Sequence, residues 1–300
     1  MTELRGIFPI VYTAFHADGQ LDRTGQRRIV DHLIGAGAHG LAVTGGASET
    51  ALLSPDERRE LLEVCVTQVA GRVPVIMGAS APTVEESLAV IRHGASWGVC
   101  AAFCLLPPGT ATLHGDDLAQ ALRRHFLTLG EASPLPVLVQ EVAQSLPAEA
   151  IAAIAETCPN VIGVKEEAPD TGKRISALRE ASGGRLVILS GGANLLDDLA
   201  RGAVGAIPGS IGVADLATAY DRHVAGDHPG ARRAFTHFLP LAHWRRPFPL
   251  IGAKEVLRRQ GVINCANVRV PEGQAVGAQT LDAHDLQELD EVMATQGPPY

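Results

Sequence analysis

Residues 161–190, VIGVKEEAPDTGKRISALREASGGRLVILS, contain one complete repeat of strand, helix and strand. Val161-Ile162-Gly163-Val164 is an unbroken apolar run that ends at Lys165, and Leu186–Ser190 is a second such run. Runs of this length without polar alternation read as strands covered on both faces. Between them, Thr171–Ala181 has the spacing of a helix, and Gly183 follows as a stop. Two buried strands joined by a helix make a parallel unit.

The same alternation extends in both directions. Further strands are expected at Ile7–Tyr12, Gly40–Thr44, Val73–Gly78, Val99–Leu106, Pro136–Gln140 and Gly205–Pro208. Helices are expected at Arg23–Ala36, Pro55–Ala70, Val84–His93, Asp116–Leu129, Pro147–Cys158, Leu195–Arg201 and Ala214–Ala225. Ser54-Pro55-Asp56-Glu57 is a helix start, with a capping hydroxyl, a first-turn proline and acids that suit the helix dipole. Gly71 and Gly94 read as helix ends. Eight strand–helix units predict an α/β chain of the (β/α)8 TIM-barrel class. A doubly wound dinucleotide fold has little support, because no Gly-x-Gly-x-x-Gly follows the first strand. Beyond about residue 227 the strands stop, and Pro229–His243, Phe248–Gln260 and Leu281–Met293 read as helices. Residues 1–227 are therefore expected to form the barrel and residues 228–300 a C-terminal helical extension packed on it.

The 300 residues are 46% hydrophobic and 19% charged, with a net charge of −8. The acidic balance and the scattered arginines argue against nucleic acid or an anionic membrane as partner. Cys65, Cys100, Cys104, Cys158 and Cys265 are odd in number and lack a Cys-x-x-Cys spacing, which fits a reducing, cytoplasmic setting. The start Met1-Thr2-Glu3-Leu4-Arg5 has no signal-peptide character, and no apolar run reaches membrane-spanning length. The eleven histidines show no zinc-ligand spacing. No metal or cofactor is expected.

In a barrel, the chemistry sits where strands end and loops begin. Of 25 basic side chains only Lys165, Lys173 and Lys254 are lysines. An amine at the end of a buried strand loses hydration, which favours its neutral form, and such lysines form Schiff bases with carbonyl substrates. The plainer alternative is a lysine paired with Glu166 or Glu167. Strand two ends in Thr44-Gly45-Gly46-Ala47-Ser48-Glu49, whose amides and Ser48 hydroxyl either hold a carboxylate or simply make a tight turn before a capped helix. Strand five ends in Gln140-Glu141. Glu141 and Glu49 are the acid–base candidates. Gly191-Gly192 after strand seven allow a ligand close to the backbone, or serve as ordinary turn residues.

Gly6-Ile7-Phe8-Pro9 to Thr13, Leu21-Asp22, Gly45 to Glu49 with Leu53 to Arg58, and Val161 to Glu166 come in an order and spacing that resembles the dihydrodipicolinate synthase / N-acetylneuraminate lyase superfamily. The resemblance runs over nearly the whole chain. It implies a (β/α)8 barrel, a homotetramer, and a strand-six lysine, here Lys165, that forms a Schiff base with pyruvate or another 2-oxo acid. It also implies an apolar residue near the three-carbon head of the substrate, here Ile207.

The departures narrow the reading. The family's synthases and sialic acid lyases carry Tyr-Asn at the end of strand five, the tyrosine relaying protons; here Gln140-Glu141 stands there. The strand-two loop lacks the hydroxyl partners of that tyrosine. Pro107-Pro108-Gly109 replaces a Pro-Tyr-Tyr stretch, and Ser145 lies near the place of a carboxylate-binding arginine. Val139-Gln140-Glu141, Leu239-Pro240-Leu241 and Ala253 to Leu257 are similar to the 2-keto-3-deoxy sugar acid dehydratases, such as the L-2-keto-3-deoxyarabonate dehydratases. The expected partner is a small 2-oxo acid. Its C1 carboxylate is placed against Ala47 and Ser48, with Gln140, Gly191 and Ile207 also in contact, and Glu141 or Glu49 as the base. Retro-aldol cleavage by the same Schiff base, including that of a divergent dihydrodipicolinate synthase, is the second reading. A 2-oxo-acid-binding protein without turnover is the third.

Overall fold

The computed structural model describes residues 4–142, 146–270 and 280–295. Among these residues, eight strands alternate with eight helices before the last three helices begin. The strands are β1 (Gly6–Ile7), β2 (Leu41–Val43), β3 (Val75–Gly78), β4 (Ala101–Cys104), β5 (Val137–Glu141), β6 (Val161–Glu166), β7 (Val187–Ser190) and β8 (Gly205–Ala206). Their order in the sheet is β1-β8-β7-β6-β5-β4-β3-β2. The pairings from β3 round to β1 are parallel. This is the fold class of the (β/α)8 barrel.

The chain divides into two compact units. The first comprises the described residues of Met1–Phe8 and Pro74–Pro208. It holds seven of the strands and the helices α3 (Val84–Ser96), α4 (Gly115–Ala132), α5 (Ala148–Thr157), α6 (Thr171–Ala181) and α7 (Leu195–Arg201). Each of these helices packs on the next. The strands are buried almost throughout, as expected of a parallel sheet covered on both faces. Gly163 lets β6 and β7 approach: a Cβ at that position would run into the carbonyl oxygen of Val187.

The second unit comprises the described residues of Pro9–Val73 and Gly209–Tyr300. It contains β2, α1 (Arg23–Gly35), α2 (Pro55–Val69), α8 (Val213–Val224), α9 (His228–Arg245), α10 (Ile251–Arg259) and α11 (Ala283–Thr295). The expected boundary at 227/228 falls inside this unit, between α8 and α9, which pack on each other. The start of α2 is the capping box read from sequence: Ser54 accepts from the Glu57 amide, and Glu57 accepts from the Ser54 amide.

Two local expectations shift. The first run does not remain a strand to Tyr12; β1 stops before Pro9, whose ring nitrogen has no hydrogen to donate. Gly94 does not end its helix, since α3 continues to Ser96. A side chain at Gly94 would collide with the sulfur of Met77, so the glycine serves packing. No described helix is long and apolar enough to cross a membrane.

Candidate active site

Strand parity decides which side chains meet at the ends of β5 and β6. Successive side chains on a strand point to opposite faces. The register pairs Gln140 with Lys165 and Lys165 with Leu189, then Glu141 with Glu166 and Glu166 with Ser190. Lys165 and Gln140 therefore share one face, and Glu141 and Glu166 share the other. Glu167, two residues beyond Lys165, returns to the lysine's face.

Lys165 is 1% exposed. Its Nζ is bonded to Oε2 of Glu167. Gln140 Nε2 donates to the same oxygen at 3.3 Å. The Lys165 ammonium also lies 5.3 Å from the centre of the Phe103 ring. Gly191 leaves space for this carboxylate: a Cβ there would come within 3.2 Å of Glu167 Cγ and 3.3 Å of Oε1. Glu167 remains part-exposed, at 28% for its side chain, so it is the member of the cluster open to incoming solute. Ile207 is buried, and its amide donates to Ser190 O at 2.7 Å.

Neither Glu141 nor Glu49 is bonded to Lys165. Glu141 points away from Lys165, into the layer between β5, β6 and α6. There Arg174 Nη2 donates to both of its oxygens at 2.9 and 3.0 Å, and the Leu146 amide donates to Oε1 at 2.5 Å. Glu166 lies beside it with Oε1 accepting from the Ala168 amide at 2.7 Å. Burial, reinforced by neighbouring Glu141, pushes the Glu166 carboxyl up to about 9. Ser190 continues the row as a hydrogen-bond partner of Asp198, whose carboxyl burial holds above its ordinary value.

Glu49 is also engaged elsewhere, within the second unit. Its left-handed backbone (φ 58°) separates two short 3-10 turns, Gly46–Ser48 and Thr50–Leu52. Its carboxylate pairs with Lys254 Nζ and accepts from the Arg269 amide at 2.7 Å. Lys254 is fully buried, and this desolvation lowers its ammonium from the ordinary lysine range despite the attraction of Glu49. Ser48 donates its hydroxyl proton to Val11 O at 2.7 Å. The Ser48 and Glu49 amides bond inside the turn, to Gly45 O and Gly46 O. Ala47 sits half-buried at the turn. The bonds made by Ser48 and Glu49 match the tight-turn alternative at those two residues; the Ala47 amide is not among their donors. Ser145 lies outside the described residues.

Residue type alone makes Glu167 an ion-pair partner of Lys165; its i+2 spacing carries the further signal of a shared face.

A sequence profile of the dihydrodipicolinate synthetase family matches residues 3–286. The chain belongs to that family. Family membership makes it a relative of lyases that act on small molecules. The 4-hydroxy-tetrahydrodipicolinate synthase of Rhizobium meliloti strain 1021 is 31% identical over 94% of this chain and 96% of its own. The L-2-keto-3-deoxyarabonate dehydratase of Azospirillum brasilense is 30% identical over 89% of this chain and 88% of its own. Among solved structures, the E. coli K12 prophage protein YagE of the dihydrodipicolinic acid synthase family, in complex with pyruvate, superposes with a TM-score of 0.85. That comparison covers 98% of this chain and 99% of the other at 23% identity, and it shows the fold alone. Within the family, this member places the carboxylate Glu167 and the amide Gln140 at the strand-six lysine, where the resemblance leads one to expect a tyrosine hydroxyl.

Proposed function

We propose that the protein is a Schiff-base hydro-lyase that removes water from a 2-keto-3-deoxy sugar acid, with Lys165 as nucleophile and Glu167 as its acid–base partner. The observation that carries this is the buried Lys165 amine bonded to a carboxylate that a neighbouring amide orients and that solvent can reach. The 30% identity to an L-2-keto-3-deoxyarabonate dehydratase supports the substrate class.

As the Lys165 amine adds to C2 of the 2-oxo acid it hands a proton to Glu167, and Glu167 returns that proton to the departing C2 hydroxyl; one water leaves, a protonated imine forms, and Glu167 is a carboxylate again. The imine is an electron sink, so the C3 proton becomes acidic and Glu167 removes it, giving an enamine. The enamine electrons then expel the C4 hydroxyl, which leaves as water with the proton returned by Glu167. Hydrolysis of the unsaturated imine consumes one water and frees Lys165. One carboxyl thus acts as base and then as acid, and the net change is loss of one water. A homotetramer belongs to the same proposal, and sedimentation velocity checks it.

Synthase or aldolase chemistry is the second reading, favoured by the 31% identity to a 4-hydroxy-tetrahydrodipicolinate synthase. Both readings need a group that handles a proton at the C4 oxygen, which Gln140 cannot do and Glu167 can. A 2-oxo-acid-binding protein without turnover is the third reading. Product analysis decides. With a 2-keto-3-deoxypentonate, NMR should show a dehydrated product and no pyruvate, and Lys165→Ala should abolish it. Release of pyruvate with an aldehyde would replace dehydration by cleavage, and an unchanged substrate would remove the lyase reading.

A further inference from the structure

We infer that Glu141, Glu166 and Arg174, on the outer face of β5, β6 and α6, are positioning residues that share a single proton and fix Glu167 against Lys165. This rests on the lyase reading of the Lys165–Glu167 pair.

The geometry carries the inference. Glu141 and Glu166 face each other across neighbouring strands, and both side chains are 0% exposed. Like charges directly opposite in a sheet repel, and burial sharpens the repulsion. Among the described residues the one cation beside them is Arg174, which bonds Glu141 and approaches Glu166 Oε2 only to 3.7 Å. Among the described residues Glu166 Oε2 has no hydrogen-bond donor. A buried carboxyl oxygen without a donor is satisfied when it carries a hydrogen itself, and Glu141 is the acceptor in reach. One arginine and one shared proton then balance two carboxyls.

The cluster also holds the turn that presents Glu167. The Glu167 amide donates to Glu141 O at 3.0 Å, and the next amide, Ala168, donates to Glu166 Oε1 at 2.7 Å. Arg174 Nη2 reaches the carbonyl of Leu146 at 2.5 Å and ties the chain after β5 to the same point. Other polar groups on this face are Ser190 on β7 and Asp198 on α7, which bond each other. Removing the shared proton would set a second anion beside Glu141 with no further cation, and the β5–β6 rung that carries Glu167 would part.

The test uses the full-length protein labelled at glutamate Cδ, with the Glu166→Gln variant beside it. Glu166→Gln keeps an acceptor for the Ala168 amide but cannot ionise. Carbon NMR should show one carboxyl titrating near pH 9 in the parent and none there in the variant. Exchange of pyruvate methyl protons for deuterium reads the base on Lys165. It should fall above pH 9 in the parent, while Glu166→Gln should stay within about twofold of the parent at pH 7.5 and lose the alkaline fall. Arg174→Met should slow exchange tenfold or more while borohydride still traps pyruvate on Lys165. The inference is overturned by no alkaline carboxyl, by one that persists in Glu166→Gln, or by identical exchange profiles in parent and variant. If the parent traps no pyruvate at all, the lyase reading fails and the coupling to Glu167 with it, whereas the carboxyl titration still judges the shared proton.

Discussion

Glu167 lends one carboxylate oxygen to both the Lys165 ammonium and the Gln140 amide. Glu167→Gln keeps the volume and removes the base. Turnover should fall by about 10²–10⁴, the usual contribution of a positioned acid–base group, while trapping of pyruvate on Lys165 persists; a loss below about tenfold would remove Glu167 from the mechanism. Glu166 gives a second prediction, in stability. Its ordinary value is 4.5 and the folded value is near 9. Between these the folded state binds a proton that the unfolded state has released, so stability falls as pH rises from about 4.5 to 9. Denaturant unfolding of Glu166→Gln should lack that decline. Lys165 was legible from its place at the end of an apolar run. Its pairing with Glu166 or Glu167 was legible too, and strand parity separates the two in favour of Glu167. The pairing of Glu141 with Arg174, from a helix 33 residues away, is a contact that no local pattern encodes.

At the scale of elements, β6 depends on Gly163. A methyl group there meets the Val187 carbonyl, a backbone atom that cannot swing aside. Gly163→Ala should cost at least about 3 kcal/mol, the upper end of overpacking penalties, measured by chemical denaturation; wild-type stability would show that β6 and β7 have room to part. The segment around Arg269 is clipped by Glu57, whose carboxyl Arg269 holds down to about 2. This clip is at full strength above the ordinary glutamate value of 4.5 and is lost as pH falls through about 2. A carbon NMR titration of Glu57 should find that low midpoint, and a midpoint near 4.5 would mean the clip is open in solution. Helix starts were legible where a cap was local, as at Pro55 after Ser54; Thr171–Ala181 and Leu195–Arg201 also fall where the sequence puts them. A helix end was not legible where a distant side chain decided, as Met77 does at Gly94.

For the whole molecule, the alternation of buried strands with capped helices made the barrel class legible, because period and punctuation are local properties. What stayed hidden is the polar interior of the second unit. Lys254 and Glu49 are 205 residues apart and both buried, and Lys254 also donates to Asn267 O at 2.6 Å. Lys254→Met would leave a buried carboxylate without its cation. Removing one partner of such a pair costs about 3–5 kcal/mol, so the unfolding free energy should drop by that amount. A change below about 1 kcal/mol would mean that Glu49 takes up a proton at little cost.

The central claim is that Lys165 is the amine that carries the substrate. Incubation with pyruvate, and separately with a 2-keto-3-deoxypentonate, followed by borohydride reduction and peptide mapping, tests it most directly. The account predicts a stable adduct on the peptide that contains Lys165, and on neither Lys173 nor Lys254. An adduct on another lysine, or none with either 2-oxo acid, would contradict it.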